Sequence, residues 1–211
     1  DALIGGIGRA GDPIGERREQ LEIGEVRDVR QADDRHARAT GLGRVFEGHA
    51  VLGVDGAAVE HGLDTQARAA GADVLRLPEE TPDMRATVER GLAWLESAHC
   101  PTEADAWLLL PADHPTIHPN IVCELLDARQ RHAKSSIFIP THQGKRGHPA
   151  LISWKHVAGL RQLDATLGLN SYLRAQASQT HELPVDSDSV LFDLDTPDDY
   201  AQLLNGFTNR E

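Results

Sequence analysis

Asp113 follows an unbroken apolar run, Ala106-Trp107-Leu108-Leu109-Leu110-Pro111-Ala112, and precedes His114 and Pro115. In open α/β sheets ligands bind beyond the carboxyl ends of such strands, which is where this carboxylate falls. A second acidic cluster, Asp193-Leu194-Asp195-Thr196-Pro197-Asp198-Asp199-Tyr200, lies farther along the chain. Two carboxylate sites at strand ends suggest a hard divalent cation and a phosphate-bearing substrate. Mg²⁺ keeps several waters and takes only one or two carboxylates, which suits Asp113 completed by Asp193 or Asp195. The structural alternative for Asp193 and Asp195 is an N-cap on a helix starting at Pro197. Asp198 and Asp199 fall in that helix's first turn, where their charge suits the helix dipole, and neither is assigned a catalytic role.

Arg146-Gly147-His148-Pro149 lies between two strand-like runs. His148 there is a donor to a substrate phosphate or acceptor, or else a solvent-exposed loop residue. Gly147 permits close backbone approach and Pro149 fixes the exit of the chain. His114 and His118 flank Asp113, but their spacing gives no four-ligand transition-metal site, and an Asp-x-Pro turn suits oxygen ligation. At the front, Ala2-Leu3-Ile4 leads into Gly5-Gly6-Ile7-Gly8-Arg9-Ala10-Gly11. A strand running into such a loop can turn backbone amides toward a phosphate, with Arg9 adding charge; a flexible end is the equal alternative. The three lysines are Lys134, Lys145 and Lys155, so no early lysine is available to hold a phosphate.

The elements that must position these residues read as α/β. The Trp107 run lacks alternation and fits a strand buried on both faces. Helices are expected over residues 57–70, closed by Gly71, and over residues 84–96, capped by Thr81 or Asp83. Further helices are expected over 119–132, 155–160, 170–176 and 197–204. Strands are expected at 43–46, 50–54, 73–78, 136–140, 150–153, 182–185 and 190–193. Trp94, Trp107 and Trp154 read as packing residues. Residues 12–39 differ: mixed charges surround the isolated apolar Leu21, Ile23, Val26 and Val29, too sparse for a core element, so the segment reads as irregular or disordered. The whole of residues 1–211 is expected to be one three-layer α/β/α domain with a mostly parallel, Rossmann-like sheet.

Leu110-Pro111-Ala112-Asp113-His114-Pro115, Arg146-Gly147-His148-Pro149 and the Asp193 to Tyr200 cluster resemble three ordered motifs of the MobA-like NTP transferases. Asp83-Met84-Arg85-Ala86-Thr87-Val88 resembles the family segment before the helix beside the nucleotide base. The likeness covers about residues 41–200. It implies a nucleotide-diphospho-sugar transferase type of fold and transfer of a nucleotidyl group from CTP or GTP to a phosphorylated acceptor such as molybdopterin. It also implies Mg²⁺ at Asp113, nucleotide contacts from Gly5, Gly6, Gly8, Arg9 and Arg85, and substrate binding by Arg146, Gly147 and His148. The resemblance further implies that Asp113 and His148 are the catalytic residues. The front departs from the pattern: the family's arginine-methionine-glycine and following lysine are absent here. A sequence error across residues 10–40, or divergence toward another substrate or inactivity, accounts for that.

The formal charge is −12, which argues against a basic surface for nucleic acid. Cys100 and Cys123 give no zinc spacing and fit a reduced compartment. With no apolar stretch of bilayer length and no leader pattern, the chain is expected to be cytoplasmic, as a monomer or homodimer, with no membrane partner. The competing readings are a sugar-phosphate nucleotidyltransferase, an impaired nucleotide-binding relic of the same fold, and a metal-dependent hydrolase. The hydrolase lacks a general base within reach of its carboxylates.

Overall fold

A computed structural model describes residues 2–7, 48–54, 63–69, 71–77 and 81–208. The irregular segment expected at 12–39, the strand expected at 43–46, and Gly8 and Arg9 lie outside the described residues. Among the described residues eight strands form one sheet: β1 (Ala2–Ile7), β2 (Gly48–Val54), β3 (Asp73–Arg76), β4 (Ala106–Pro111), β5 (Ile137–His142), β6 (Lys145–Arg146), β7 (Ala150–Ser153) and β8 (Thr180–Pro184). Their order is β3-β2-β1-β4-β7-β5-β6, with β8 also on β5. The helices are α1 (Leu63–Ala69), α2 (Met84–His99), α3 (Pro119–Arg131), α4 (Val157–Arg161), α5 (Leu169–Ala175) and α6 (Pro197–Thr208).

The expected α/β architecture is present, and its sheet is mixed. β2, β3, β4, β5 and β8 share one direction, while β1, β6 and β7 run against it. The short hairpin joining β5 to β6 explains part of this, since strands joined so tightly by a two-residue turn are antiparallel, and β7 then continues in the direction of β6 along β5. β1 is the unexpected member. It is antiparallel to both neighbours, with Ala2 opposite Pro111 and Ile7 opposite Ala106.

β4 carries the core on both faces. Trp107 and Leu109 pack with Val88, Leu92 and Leu95 of α2 and with Leu160, Leu169 and Leu173 of the α4–α5 region. Ala106 and Leu108 pack on the other face with Ile121, Leu125 and Ala128 of α3 and with Val190. That division is the period-two alternation of a strand whose every residue is apolar. In α2 the buried residues Val88, Leu92 and Leu95 recur at helical spacing. Each contributes about 1.5–3 kcal/mol by leaving water. Asp83 caps this helix by accepting from the amide of Ala86 at 2.8 Å, and Cys100 ends it in the left-handed region. Gly71, at φ 86°, closes α1 as the sequence suggests.

Two expectations are revised. Residues 190–193 are not a strand: Asp188–Leu191 form a 3-10 turn, started by the Ser187 hydroxyl accepting from the amide of Ser189. Ser and Asp side chains compete locally with ladder bonds, and the apolar run after them is short. The loop at 141–149 is a hairpin instead, with Gln143 and Gly144 at φ 50° and 77° between the paired His142 and Lys145. Both central residues lie at positive φ, the requirement of a two-residue type I′ turn. Among the described residues no helix is long and apolar enough to cross a membrane.

Candidate functional site

The turn after β4 places Asp113 and His114 side by side at the carboxyl end of the sheet. The amide of His114 bonds the carbonyl of Pro111 at 3.3 Å, closing the turn. The Asp113 side chain is 45% exposed, whereas that of His114 is buried. The carbonyl of Asp113 accepts from the amide of Leu194 at 2.9 Å, which joins the first acidic motif to the second. Backbone hydrogen bonding, not sequence proximity, therefore brings Asp113 and Asp193 to one corner.

His148 enters that corner from the loop between β6 and β7. Its amide bonds the carbonyl of Val190 at 2.8 Å, and the preceding Gly147 amide bonds Pro140 at 2.8 Å. A Cβ on Gly147 would collide with the carbonyl oxygen of Val190, so this approach needs glycine. The peptide from His148 to Pro149 is cis. The His148 ring lies 4.7 Å from that of His114, centroid to centroid, tilted by 54°. Burial, then the neighbouring His114, pushes the His148 pKa down to about 4, against the opposing pull of Asp113, a hydrogen bond to the Leu109 backbone and Asp193. His148 is therefore neutral at pH 7 and half-buried, not a solvent-exposed loop side chain. Among the described residues, the Nδ1 atoms of His114 and His148 are both buried without a hydrogen-bond partner.

Other expected site residues separate from this corner. Arg85 is committed elsewhere: Nε donates to Glu89, and the terminal nitrogens donate to the carbonyls of Asp164, Leu167, Leu160 and Leu163 at 2.6–3.5 Å. A guanidinium has five N–H donors, and five bonds use them. The expected nucleotide contact is thus replaced by a clamp holding the end of α4 and the following loop to α2. Gly5 and Gly6 are likewise not a phosphate cradle. They sit inside β1, Gly5 opposite Ala50 and Leu108 and Gly6 opposite His49 and Trp107, so their amides face neighbouring strands. Since Ile7 pairs with Ala106, the chain leaves β1 at the sheet end opposite Asp113. Arg146 bonds Glu182 through Nε at 2.8 Å on β8.

Around α6 the acidic residues divide by role. Thr196 and Asp199 form a reciprocal cap: the Thr196 amide donates to the Asp199 carboxylate at 2.8 Å, and the Asp199 amide donates to the Thr196 hydroxyl at 3.2 Å. Neither Asp193 nor Asp195 is needed as that cap. Asp193 is the one whose charge acts on His148; Asp195 is exposed one residue before the cap. His118 is an N-cap too, its Nδ1 accepting from the Asn120 amide at 3.2 Å, with Pro119 in the first turn of α3. Burial of His114 is the feature that the sequence pattern did not reveal.

Among the described residues no three His, Cys, Asp or Glu side chains are grouped closely enough to hold a metal ion by themselves. That excludes a cage of soft ligands there but fits Mg²⁺ or Mn²⁺, which take one or two carboxylates and water. The half-exposed Asp113 and the exposed Asp193, whose charges both act on the neutral imidazole of His148, are the two carboxylates at this corner.

No protein of curated function matches the sequence. Solved structures do. The Rv0371c protein of Mycobacterium tuberculosis, solved as a complex with manganese, is 25% identical, with a TM-score of 0.56 over 84% of this chain and 86% of that one. CMP:2-keto-3-deoxy-manno-octonic acid synthetase complexed with CTP shares the fold at 13% identity, with a TM-score of 0.55 over 87% of this chain and 88% of that one. So does 4-diphosphocytidyl-2C-methyl-D-erythritol synthase of Anaerococcus prevotii, at 8% identity and a TM-score of 0.57 over 86% and 88%. The profile of the MobA-like NTP transferase domain matches residues 37–181, a span that takes in the Asp113 turn and the His148 loop. On that match, which spans more than half of its residues, the chain belongs to the MobA-like NTP transferase domain family.

Proposed function

We propose that this chain is a divalent-metal-dependent nucleotidyltransferase, moving a nucleotidyl group from CTP or GTP to a small phosphorylated acceptor and releasing pyrophosphate. The observation that carries the reading is the bond between the Leu194 amide and the Asp113 carbonyl, which unites two acidic motifs beside a half-buried, neutral His148. Asp113 and Asp193 would hold the cation, Mg²⁺ or Mn²⁺, with Asp195 as the alternative second carboxylate. When bound, the cation supplies charge neutralisation for phosphate oxygens, the main requirement of phosphoryl and nucleotidyl transfer.

The protein's own groups do the positioning. His148 is held by its amide bond to Val190, and its neutral ring, hydrogen-bonded to the Leu109 backbone, would line the acceptor side of the corner without adding a charge to be desolvated. Gly147 permits that approach, and Arg146 stands on the adjoining strand β6. Molybdopterin is the acceptor implied by the family, and a sugar phosphate is the alternative. The two neighbouring folds with cytidylyl chemistry in their names make CTP the first donor to test.

One observation favours a second reading, a relic whose nucleotide binding is impaired. Gly5 and Gly6 are consumed in the β1 ladder, and β1 exits away from Asp113. Calorimetry with CTP, GTP and ATP in the presence of Mg²⁺ separates the two, followed by a pyrophosphate-release assay with candidate acceptors. Binding of one nucleotide and acceptor-dependent pyrophosphate release supports the enzyme. Failure of all three to bind assigns the chain to the relic class, and release of orthophosphate would indicate a hydrolase.

A further inference from the structure

We propose that His114 is a positioning residue that orients the Asp113 carboxylate toward its cation, with the ring of His148 as its backstop. The inference rests on the metal reading above and adds a residue to it. His114 is only 9% exposed although it sits in a turn at the sheet's edge of action. Its backbone is fixed to Pro111, and its ring is fixed against His148 at 4.7 Å. Nε2 faces Asp113 Oδ1 at 3.8 Å. That separation is longer than a hydrogen bond, and a modest rotation of the half-exposed carboxylate closes it.

The arrangement has two sides. One side of the Asp113 carboxylate meets the imidazole, and the side open to solvent is left for a cation and its waters. Such outer partners fix the orientation of a ligating group and raise its affinity. His114 also keeps a buried Nδ1 without a partner among the described residues, as does His148. A side chain serving packing alone has no need of a buried polar nitrogen, and such unpaired groups in native proteins call for an explanation. The nitrogen of His114 that meets Asp113 is Nε2, which leaves Nδ1 as the unpaired edge of the ring. Leu194 fixes the same residue from its backbone side, so Asp113 is held at its carbonyl while its carboxylate faces the His114 ring.

The test is Mn²⁺ titration of the full chain, reading free Mn²⁺ by its electron paramagnetic resonance signal, with a thermal melt of each protein. Wild type, Asp113→Asn, His114→Phe and His114→Gln are compared. Phenylalanine keeps a ring against His148 and removes the N–H; glutamine keeps a donor and removes the ring. The expected result is a loss of Mn²⁺ affinity of about 10-fold in His114→Phe and substantial recovery in His114→Gln. Wild-type affinity in His114→Phe, or equal loss in both variants, overturns the positioning role. Absence of Mn²⁺ binding by the wild type overturns the metal reading itself, whereas binding that Asp113→Asn abolishes and His114→Phe leaves intact overturns only the present inference. Should His114→Phe fail to fold, imidazole ¹⁵N spectra of the wild type during Mg²⁺ titration replace it. A shift of the His114 resonances supports the coupling, and resonances that stay fixed as Mg²⁺ binds overturn it.

Discussion

The amide of Leu194 donates to the carbonyl of Asp113 at 2.9 Å, so two acidic motifs far apart in sequence share a hydrogen bond. The bond is backbone to backbone and survives any change of side chain at either position except proline at 194. The carboxylates of Asp113 and Asp193 can therefore be removed individually without taking this corner apart.

Asp113→Asn is expected to lower metal-dependent turnover by about 100-fold or more, because a cation's electrostatic contribution is worth several kcal/mol. Asp193→Asn is expected to act in the same direction and Asp195→Asn to act less, since only Asp193 acts on His148. Pyrophosphate release at saturating Mg²⁺ and Mn²⁺, with melting temperatures alongside, checks the ranking. An Asp195 variant more impaired than Asp193 would reverse the assignment.

Gly147→Ala is expected to destabilise by about 1–3 kcal/mol through overpacking against the Val190 backbone. It should also loosen the amide bond from His148 to Val190. Urea denaturation measures the first effect. A fall in apparent acceptor affinity with nucleotide affinity unchanged would report the second.

Arg85→Lys keeps the charge but cannot reproduce five directed bonds, four of them to carbonyls. A loss of about 2–3 kcal/mol of stability is expected, with nucleotide affinity unaltered in the folded protein. A large selective loss of nucleotide binding, at unchanged stability, would restore the role that the sequence motif suggests.

Acid should weaken the fold through His156. This residue is buried, its Nε2 within 2.8 Å of the Ser136 hydroxyl and its Nδ1 within 2.9 Å of the Tyr172 hydroxyl. Burial, then Lys155, lowers its pKa from 6.5 to about 4. The unfolded chain takes up the proton first as pH falls, so stability declines from about pH 6.5 down to about pH 4 and then levels off. Urea midpoints across that range are expected to fall more steeply for wild type than for His156→Gln. Parallel curves would exclude His156 as the source.

The core was legible where composition forced it. The six residues of β4 admit no polar face, which requires cover on both sides, and Trp107 and Leu108 duly point to different clusters. Gly147 and Pro149 around His148 announced a constrained approach, and Gly71 a helix end. Residues such as Arg85 were not legible, because an arginine at a helix start looks the same whether it meets a nucleotide or the carbonyls of a loop dozens of residues later. The direction of β1 was hidden for a similar reason. Ala2-Leu3-Ile4-Gly5-Gly6-Ile7 fills the gap between β2 and β4 either way round, since its pattern carries no polarity. The burial of His114 depends on where His148 arrives, and that is decided by the hairpin and the Val190 turn.

The antiparallel register of β1 turns this strand into a ruler along the sheet. Ala2 stands beside Pro111, two residues before Asp113, while Ile7 stands beside Ala106, about 17 Å farther along the strand axis. A paramagnetic ion captured at Asp113 relaxes nearby nuclei with a steep inverse power of distance. The amide signals of β1 should therefore broaden in a gradient, strongest toward Ala2 and fading toward Ile7. A parallel strand in the same slot would display the gradient reversed, so one titration of a labelled sample reads out the polarity of the central strand without disturbing a single side chain.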